Sequence, residues 1–343
     1  MDRMRGCDQF ARAALWLLAL GIPGCRELDP APLPAAAPSA AEPETALAAL
    51  SEEPLQPLPA RIDLDPAKVR LGERLFSDPR LSGDSSVSCA TCHPLGRGGT
   101  DGLSHSRGAE GKTTAVNTPT VFNSGLNFRF NWNGVYTTLE SELDAPMRRA
   151  MGTDAAAVVA QLQTLAEYRE SFAAIYPEGI TADSFRDALA TFERSLLTPN
   201  SRFDRYLRGE TSALSEEEKR GYALFKSHGC ASCHQGVNVG GNLFQRMGVI
   251  ADYFAERGDL RPADLGLFNA TANPRDRHVF RVPSLRNVAV TAPYFHDGSV
   301  RTLEGAITAM GRYQLGRVLT PDEVRGLAAF LRTLTGEYRG RPL

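Results

Sequence analysis

The pentapeptide CATCH at residues 89–93 returns as CASCH at residues 230–234, and these two copies govern how the rest of the chain is read. Both are Cys-x-x-Cys-His. Two thiols three residues apart on one turn reach the two vinyl groups of a porphyrin, and the histidine that follows is set beneath the iron. Cys89, Cys92, Cys230 and Cys233 are the expected attachment points of two c-type haems, with His93 and His234 as proximal iron ligands. A four-cysteine zinc site and a pair of redox disulfides are the competing readings. Neither accounts for a histidine directly after both cysteine pairs.

The other two of the six cysteines, Cys7 and Cys25, lie in a segment of different character. The stretch MDRMRGCDQFARAALWLLALGIPGC has a basic start (Arg3, Arg5, Arg12), an apolar run from Ala13 to Leu20 and then small residues. That order is an export signal over residues 1–24, with an apolar run too short to span a bilayer. The end IPGC resembles the bacterial lipoprotein box, in which Cys25 would carry lipid; Pro23 is unusual inside such a box, and a cleaved protein with an incidental Cys25 is the alternative. Arg26 after the cysteine resembles outer-membrane sorting in enteric-type bacteria. Residues 25–60 are rich in Pro and Ala and are expected to form an extended tether. Export suits the haem reading, because covalent attachment takes place outside the cytoplasm.

The remaining body is long enough for two domains within the 343-residue chain, and a net charge of −2 gives nucleic-acid binding no support. Its periodicity is helical. Asp65 and Pro66 open one helix as N-cap and first residue. Val158, Leu162, Leu165 and Phe172 recur at helical spacing, as do Phe185, Leu189, Phe192 and Leu196. Ser215 with Glu218, and Thr320 and Pro321 with Glu323, read as helix starts. Val324, Leu327, Leu331 and Leu334 make one apolar face. The expected fold is all-α: two cytochrome c-like helical domains, residues 61–205 and 206–343, each around one covalently bound haem.

With these motifs in place, residues 61–343 resemble the bacterial di-haem cytochrome c peroxidases, in the superfamily that also holds the tryptophan-modifying enzyme MauG. The resemblance rests on LGERLFSDPRLSGDSSVSCATCH, GGTDGL, NTPTVFNSGLNF, GCASCHQGVNVGG, FRVPSLRNVAVTAPYFHDGSV and AMGRYQLG. It implies that the C-terminal haem accepts electrons and is held by His234 and Met310; Met247 is a rival that does not match the motif. Met/His ligation favours a high potential. The resemblance also implies that Trp132 stands between the haems, and that Ca²⁺ is held by the Asn117 side chain and the backbone carbonyls of Thr291 and Pro293.

The first haem departs from the family pattern. Many relatives cap it with a second histidine, and the corresponding position here is Ala109, which cannot ligate iron. His105 is the natural substitute cap, while His278 and His296 are weaker candidates. The usual acid/base carboxylate is also missing, since Ala150 precedes Met151. Glu142 is the candidate to move a proton during peroxide cleavage, with Glu140 second, and Arg148 or Arg149 could stabilise developing charge.

These features point to a peroxidase that reduces hydrogen peroxide to water without reductive activation. Its electrons would come from a small cytochrome c or a cupredoxin. It would be periplasmic, touching the membrane only through a lipid anchor, and a homodimer as relatives often are. A MauG-like oxidase of a partner protein and a non-catalytic di-haem electron carrier or sensor are the alternatives; MauG-type chemistry is marked by tyrosine where Met310 stands.

Overall fold

The computed structural model describes residues 53–343; the expected signal, Cys25 and most of the expected tether lie outside the described residues. Helix α1 (Pro66–Ser77) begins as the sequence predicts, with the Asp65 carboxylate accepting from the backbone N–H of Ala67 at 2.8 Å. The short α2 (Cys89–Cys92) carries the first cysteine pair, followed by α3 (Leu139–Glu142) and α4 (Asp144–Arg149). Then come α5 (Ala155–Thr164), α6 (Ala166–Ala173) and α7 (Ala182–Ser195). The apolar run through Leu165 predicts continuous helix, but Leu165 is extended (φ −99°, ψ 113°) and separates α5 from α6. The break re-aims α6 so that Tyr168 and Phe172 enter the core.

Two large apolar cores and a small third one result among the described residues. In the first, α1 and α7 cross at Gly72, where a Cβ would run into the Ala188 carbonyl. That close approach brings Leu71, Leu75 and Phe76 against Leu189 and Phe192, with the Phe76 and Phe192 rings 5.2 Å apart edge to face. Each such buried side chain contributes roughly 1.5–3 kcal/mol.

The second core is built from α8 (Arg202–Leu207), α9 (Glu216–Ser227), α12 (Leu303–Leu315) and α13 (Pro321–Arg332), while α10 (Tyr253–Arg257) packs Tyr253 and Phe254 with Phe280 in a third cluster and α11 (Phe268–Thr271) buries no residue. Both predicted capping boxes form: Glu218 accepts from the Ser215 N–H at 2.8 Å, and Glu323 from the Thr320 N–H at 2.8 Å. Helix α9 crosses α13 at Gly221, the counterpart of Gly72, where a Cβ would meet the Gly326 carbonyl. Around this crossing Phe203, Tyr222, Phe225 and Phe330 pack ring on ring at 4.8–5.1 Å. Strands are minor: β1 (Phe244–Arg246) pairs antiparallel with β2 (Val279–Arg281), Gln245 opposite Phe280, and β3 (Glu337–Tyr338) with β4 (Arg341–Pro342).

The expected tether does not run free as far as residue 60. Leu55 and Leu58 are fully buried, and Leu55 belongs to the second core. The N–H of Gln56 donates to the Gly236 carbonyl at 3.3 Å, and that of Gly236 to Pro54 at 2.7 Å. Arg286, itself buried, donates to the Gln56 carbonyl at 2.7 Å and pairs with the buried Asp204 at 2.7 Å. Asp204 in turn accepts from the Leu58 N–H at 3.1 Å, and Arg208 donates to the Leu58 carbonyl at 2.6 Å. Composition alone suggested a spacer; two leucines and a buried ion pair make its end part of the fold.

Candidate functional site

The first cysteine pair sits at the edge of the first core, where Cys89 and Ala90 pack against it. No disulfide joins the four described cysteines. Burial pushes the Cys89 thiol well up, with the nearby Glu193 and Glu142 carboxylates adding to the rise. Burial likewise raises Cys230, to about 11. Raised Cys89, Cys92 and Cys230 do not suit reactive thiolates and no disulfide joins the described cysteines, which leaves thioether attachment as the fitting chemistry.

The histidines fit iron as well. His93 Nδ1–H donates to the Gly99 carbonyl at 3.1 Å, which fixes the tautomer with its lone pair on Nε2. Burial holds both proximal histidines in the neutral, ligating form: His93 is lowered, and His234 is lowered to about 4 against the carbonyls of Val239 and Pro283. His234 Nδ1 is buried without a hydrogen-bond partner, as expected of a ring positioned by something beyond the protein's own polar groups.

Met310 lies half-buried on α12, whose Leu303 and Ile307 enter the same core as Cys230 and Ala231. Its rival Met247 is instead packed with Tyr253, Phe254 and Phe280, a structural place.

Residues expected from separate motifs meet at Trp132. Its indole Nε1–H donates to the Asn117 carbonyl at 2.8 Å, and the ring stands edge-on to His296 at 6.5 Å. Asn117 is buried; its N–H donates to the His296 carbonyl at 2.8 Å and its amide nitrogen to the Leu103 carbonyl at 2.8 Å. Those bonds leave Asn117 Oδ1 without a hydrogen-bond donor, an oxygen of the hard type that Ca²⁺ takes. The loop carrying Thr291 and Pro293 packs nearby, with the Val290 carbonyl close over Gly98.

His278 and His296 are structural. His278 Nδ1–H donates to the Asp264 carbonyl at 2.8 Å and the ring stacks on Phe254 at 4.4 Å. His296 Nε2–H donates to the Asp264 carboxylate at 2.6 Å. Asp264, His296 and Asp297 could together reach one cation, but Arg257 already neutralises both carboxylates, bonding Asp264 through two nitrogens and Asp297 at 2.7 Å.

Ala109, where the sequence reading expects a capping histidine in relatives, is fully buried, and its backbone N–H donates to the carbonyl of Ala150 at 2.7 Å. His105 Nδ1 is buried without a partner in the same loop. Of the acid/base candidates, Glu140 is committed to Arg194 by two bonds of 2.7 and 3.0 Å. The Glu142 carboxyl has no hydrogen-bond or ion-pair partner among the described residues, and burial raises it to about 7 against the pull of Arg149 and Arg281. Arg148 is exposed and faces Asp144 at 3.9 Å. Arg281 was missed in the sequence: it comes from β2, is 5% exposed, and reaches back to the Asn131 carbonyl at 3.3 Å with its charge facing Glu142. Glu193 was missed too, and no sequence signal marks it.

Residues 66–212 match the di-haem cytochrome c peroxidase family and residues 218–335 the cytochrome c family. Cytochrome c551 peroxidase of Nitrosomonas europaea is 40% identical over 84% of this chain and 85% of its own length. Cytochrome c peroxidase Ccp of Escherichia coli is 42% identical over 83% of this chain, which spans 62% of that longer relative. Among solved structures, a MauG-like protein associated with microbial copper homeostasis superposes with a TM-score of 0.71 at 34% identity, covering 83% of this chain and 94% of that one. The chain belongs to the bacterial di-haem cytochrome c peroxidase family, and its two family domains each imply one c-type haem.

Proposed function

We propose that this protein reduces hydrogen peroxide to water with electrons from a small cytochrome c or cupredoxin in the periplasm, and that it does so without prior reduction. The observation that carries this reading is Ala109, buried and bonded to Ala150 where relatives place a capping histidine. When bound, the first haem supplies the iron at which peroxide is cleaved, and the second passes electrons inward one at a time. His93 and His234 present neutral Nε2 to those irons, and Met310 is assigned as the second ligand of the second haem. Glu142, held near the working pH, moves a proton to the departing oxygen. Arg281 gives that site a fixed positive charge where negative charge develops. Trp132 would stand between the two haems, and the Asn117 side chain with the Thr291 and Pro293 carbonyls would hold Ca²⁺ beside it. Export, a lipid anchor at Cys25, the domain boundary near residue 205 and homodimerisation belong to the same reading; among the described residues no helix is long and apolar enough to cross a membrane.

A MauG-like oxidation of a partner protein is the second reading, favoured by the likeness to the MauG-like structure and opposed by methionine at position 310. Electron paramagnetic resonance of the fully oxidised, haem-loaded protein is the test. One high-spin and one low-spin signal, with immediate peroxide turnover on adding reduced donor, is the expected result. Two low-spin signals would mean that a residue, His105 first, caps the iron, and the activation-free reading would fall.

A further inference from the structure

Helix α9 ends at its C-cap His228, two residues before the haem-attaching Cys230. The His228 N–H closes the helix on the Leu224 carbonyl at 2.9 Å. Its imidazole is 8% exposed and has a partner on each nitrogen. Nε2 lies 3.1 Å from the Glu323 carboxylate, and Nδ1 lies 3.1 Å from a guanidinium nitrogen of Arg317. A guanidinium can only donate and a carboxylate only accept, so Nδ1 is the acceptor and Nε2–H the donor. No other tautomer or protonation state of the ring serves both partners.

The two partners belong to different elements. Glu323 caps α13, accepting from the Thr320 N–H at 2.8 Å and the Thr320 hydroxyl at 3.0 Å. Arg317 sits in the loop after α12, which leaves the helix at Gly316 (φ 64°, ψ 29°). That loop folds back over the residue beside Met310. The Arg317 N–H donates to the Gly311 carbonyl at 2.8 Å, and a Cβ on Gly311 would come within 2.8 Å of the Leu319 side chain. Other bonds at this end of α12 lead elsewhere: Gln314 and the Tyr313 carbonyl to the segment 246–251, and Arg312 and the Tyr313 hydroxyl to Glu256. Among the described residues, the contact from Arg317 to His228 is the single hydrogen bond between this end of α12 and the end of α9.

We infer that His228 is a positioning residue for the second haem. Acting through Arg317, it ties the helix that carries Met310 to the helix end that leads into the haem's attachment, and so sets how firmly the thioether ligates the iron. This rests on Met310 as that haem's second ligand, as proposed above. A thioether is an uncharged, weakly binding ligand, so its hold depends on where its helix places it, and groups outside the ligand set govern that placement. The buried Leu303 and Ile307 anchor α12 before Met310, and the Arg317 bond anchors it after. The path is short: His228 to Arg317, Arg317 to Gly311, and Gly311 to its chain neighbour Met310.

The test uses the haem-loaded full chain with R317M, H228F, their double variant and H228Q. Arg317 is exposed, so R317M removes the bond without touching a core. Ligation by methionine is read from the near-infrared charge-transfer band of the ferric haem while imidazole is titrated in to displace the thioether. Imidazole should remove the band at about tenfold lower concentration in R317M and H228F than in the wild type, and the second haem's midpoint potential should fall in both. The double variant should lose no more than H228F, because both changes break the same bond. H228Q should stay near the wild type, since its amide offers an oxygen to Arg317 and a nitrogen to Glu323. A band that imidazole removes from R317M as it does from the wild type overturns this inference alone, as does a double variant whose loss is the sum of the two. A wild type without the band would strike the Met310 assignment and the inference together. Peroxide turnover is not the readout, so the peroxidase reading stands or falls separately.

Discussion

The two haem domains share a skeleton and differ in what surrounds it. Each brings two helices together across a glycine, Gly72 in one and Gly221 in the other, and each presents a half-buried histidine, its pKa lowered by desolvation, after a cysteine pair. The second domain adds ring-on-ring packing, the clamped segment 53–58 and a methionine-bearing helix; its buried charges are paired, Arg286 with Asp204 and Arg257 with Asp264. The first leaves Glu142 without a hydrogen bond or ion pair among the described residues, while each domain keeps one histidine Nδ1 buried without a partner, His105 in the first and His234 in the second. On the function proposed above, the difference separates two tasks. A site that only passes electrons gains from rigid surroundings with paired charges, because little then reorganises. A site that moves protons must keep groups able to change charge.

The sharpest way to break that contrast is to unpair the second domain. Arg286→Met leaves Asp204 buried and charged and frees the Gln56 carbonyl, so stability should fall by about 3–5 kcal/mol in chemical denaturation. A loss below 1 kcal/mol would show that the second domain is not held by its paired charges. Next in size, Ala109→His forces a large ring into a fully buried alanine position and should cost about 1–3 kcal/mol. The introduced imidazole should convert the first haem's high-spin signal to low spin while the backbone bond from position 109 to Ala150 is kept; a persistent high-spin signal would show that position 109 does not face that haem. The smallest effect concerns acid. Asp264, held down to about 2 chiefly by Arg257 and the Arg261 N–H against its own burial, stabilises the fold fully above the ordinary carboxylate value. That contribution is lost as pH falls from about 4 through about 2, and Asp264→Asn should flatten the acid-unfolding curve in that window.

What could be read from the sequence was local. Cysteine spacing, the Ser215–Glu218 and Thr320–Glu323 caps and the helix faces depend on neighbours a few residues apart, and the structure keeps them. Glu193 was illegible because its own helix explains it away: beside Phe192 and Leu196 it reads as the polar flank of an amphipathic stripe, and its burial comes from α3 and the cysteine loop packing across. Arg281 reads as a polar residue in a short strand until the fold turns it towards Glu142. Leu55 and Leu58 were lost in a Pro/Ala-rich background because their partners, Asp204 and Arg286, lie some 150–230 residues away. Glu140 was overvalued for the opposite reason, since Arg194 is invisible as its partner along the chain.

The clamp on residues 54–58 also sets how the molecule would be moored. It holds the chain beside Gly236, two residues after His234, so any pull on the N-terminal segment is borne by the second haem's loop and not by the first domain. With lipid on Cys25, the leash from there to the clamp would have a contour of about 100 Å at most. On the proposed function, such a leash would hold the second domain, through the Gly236 loop, closer to its anchor than the first.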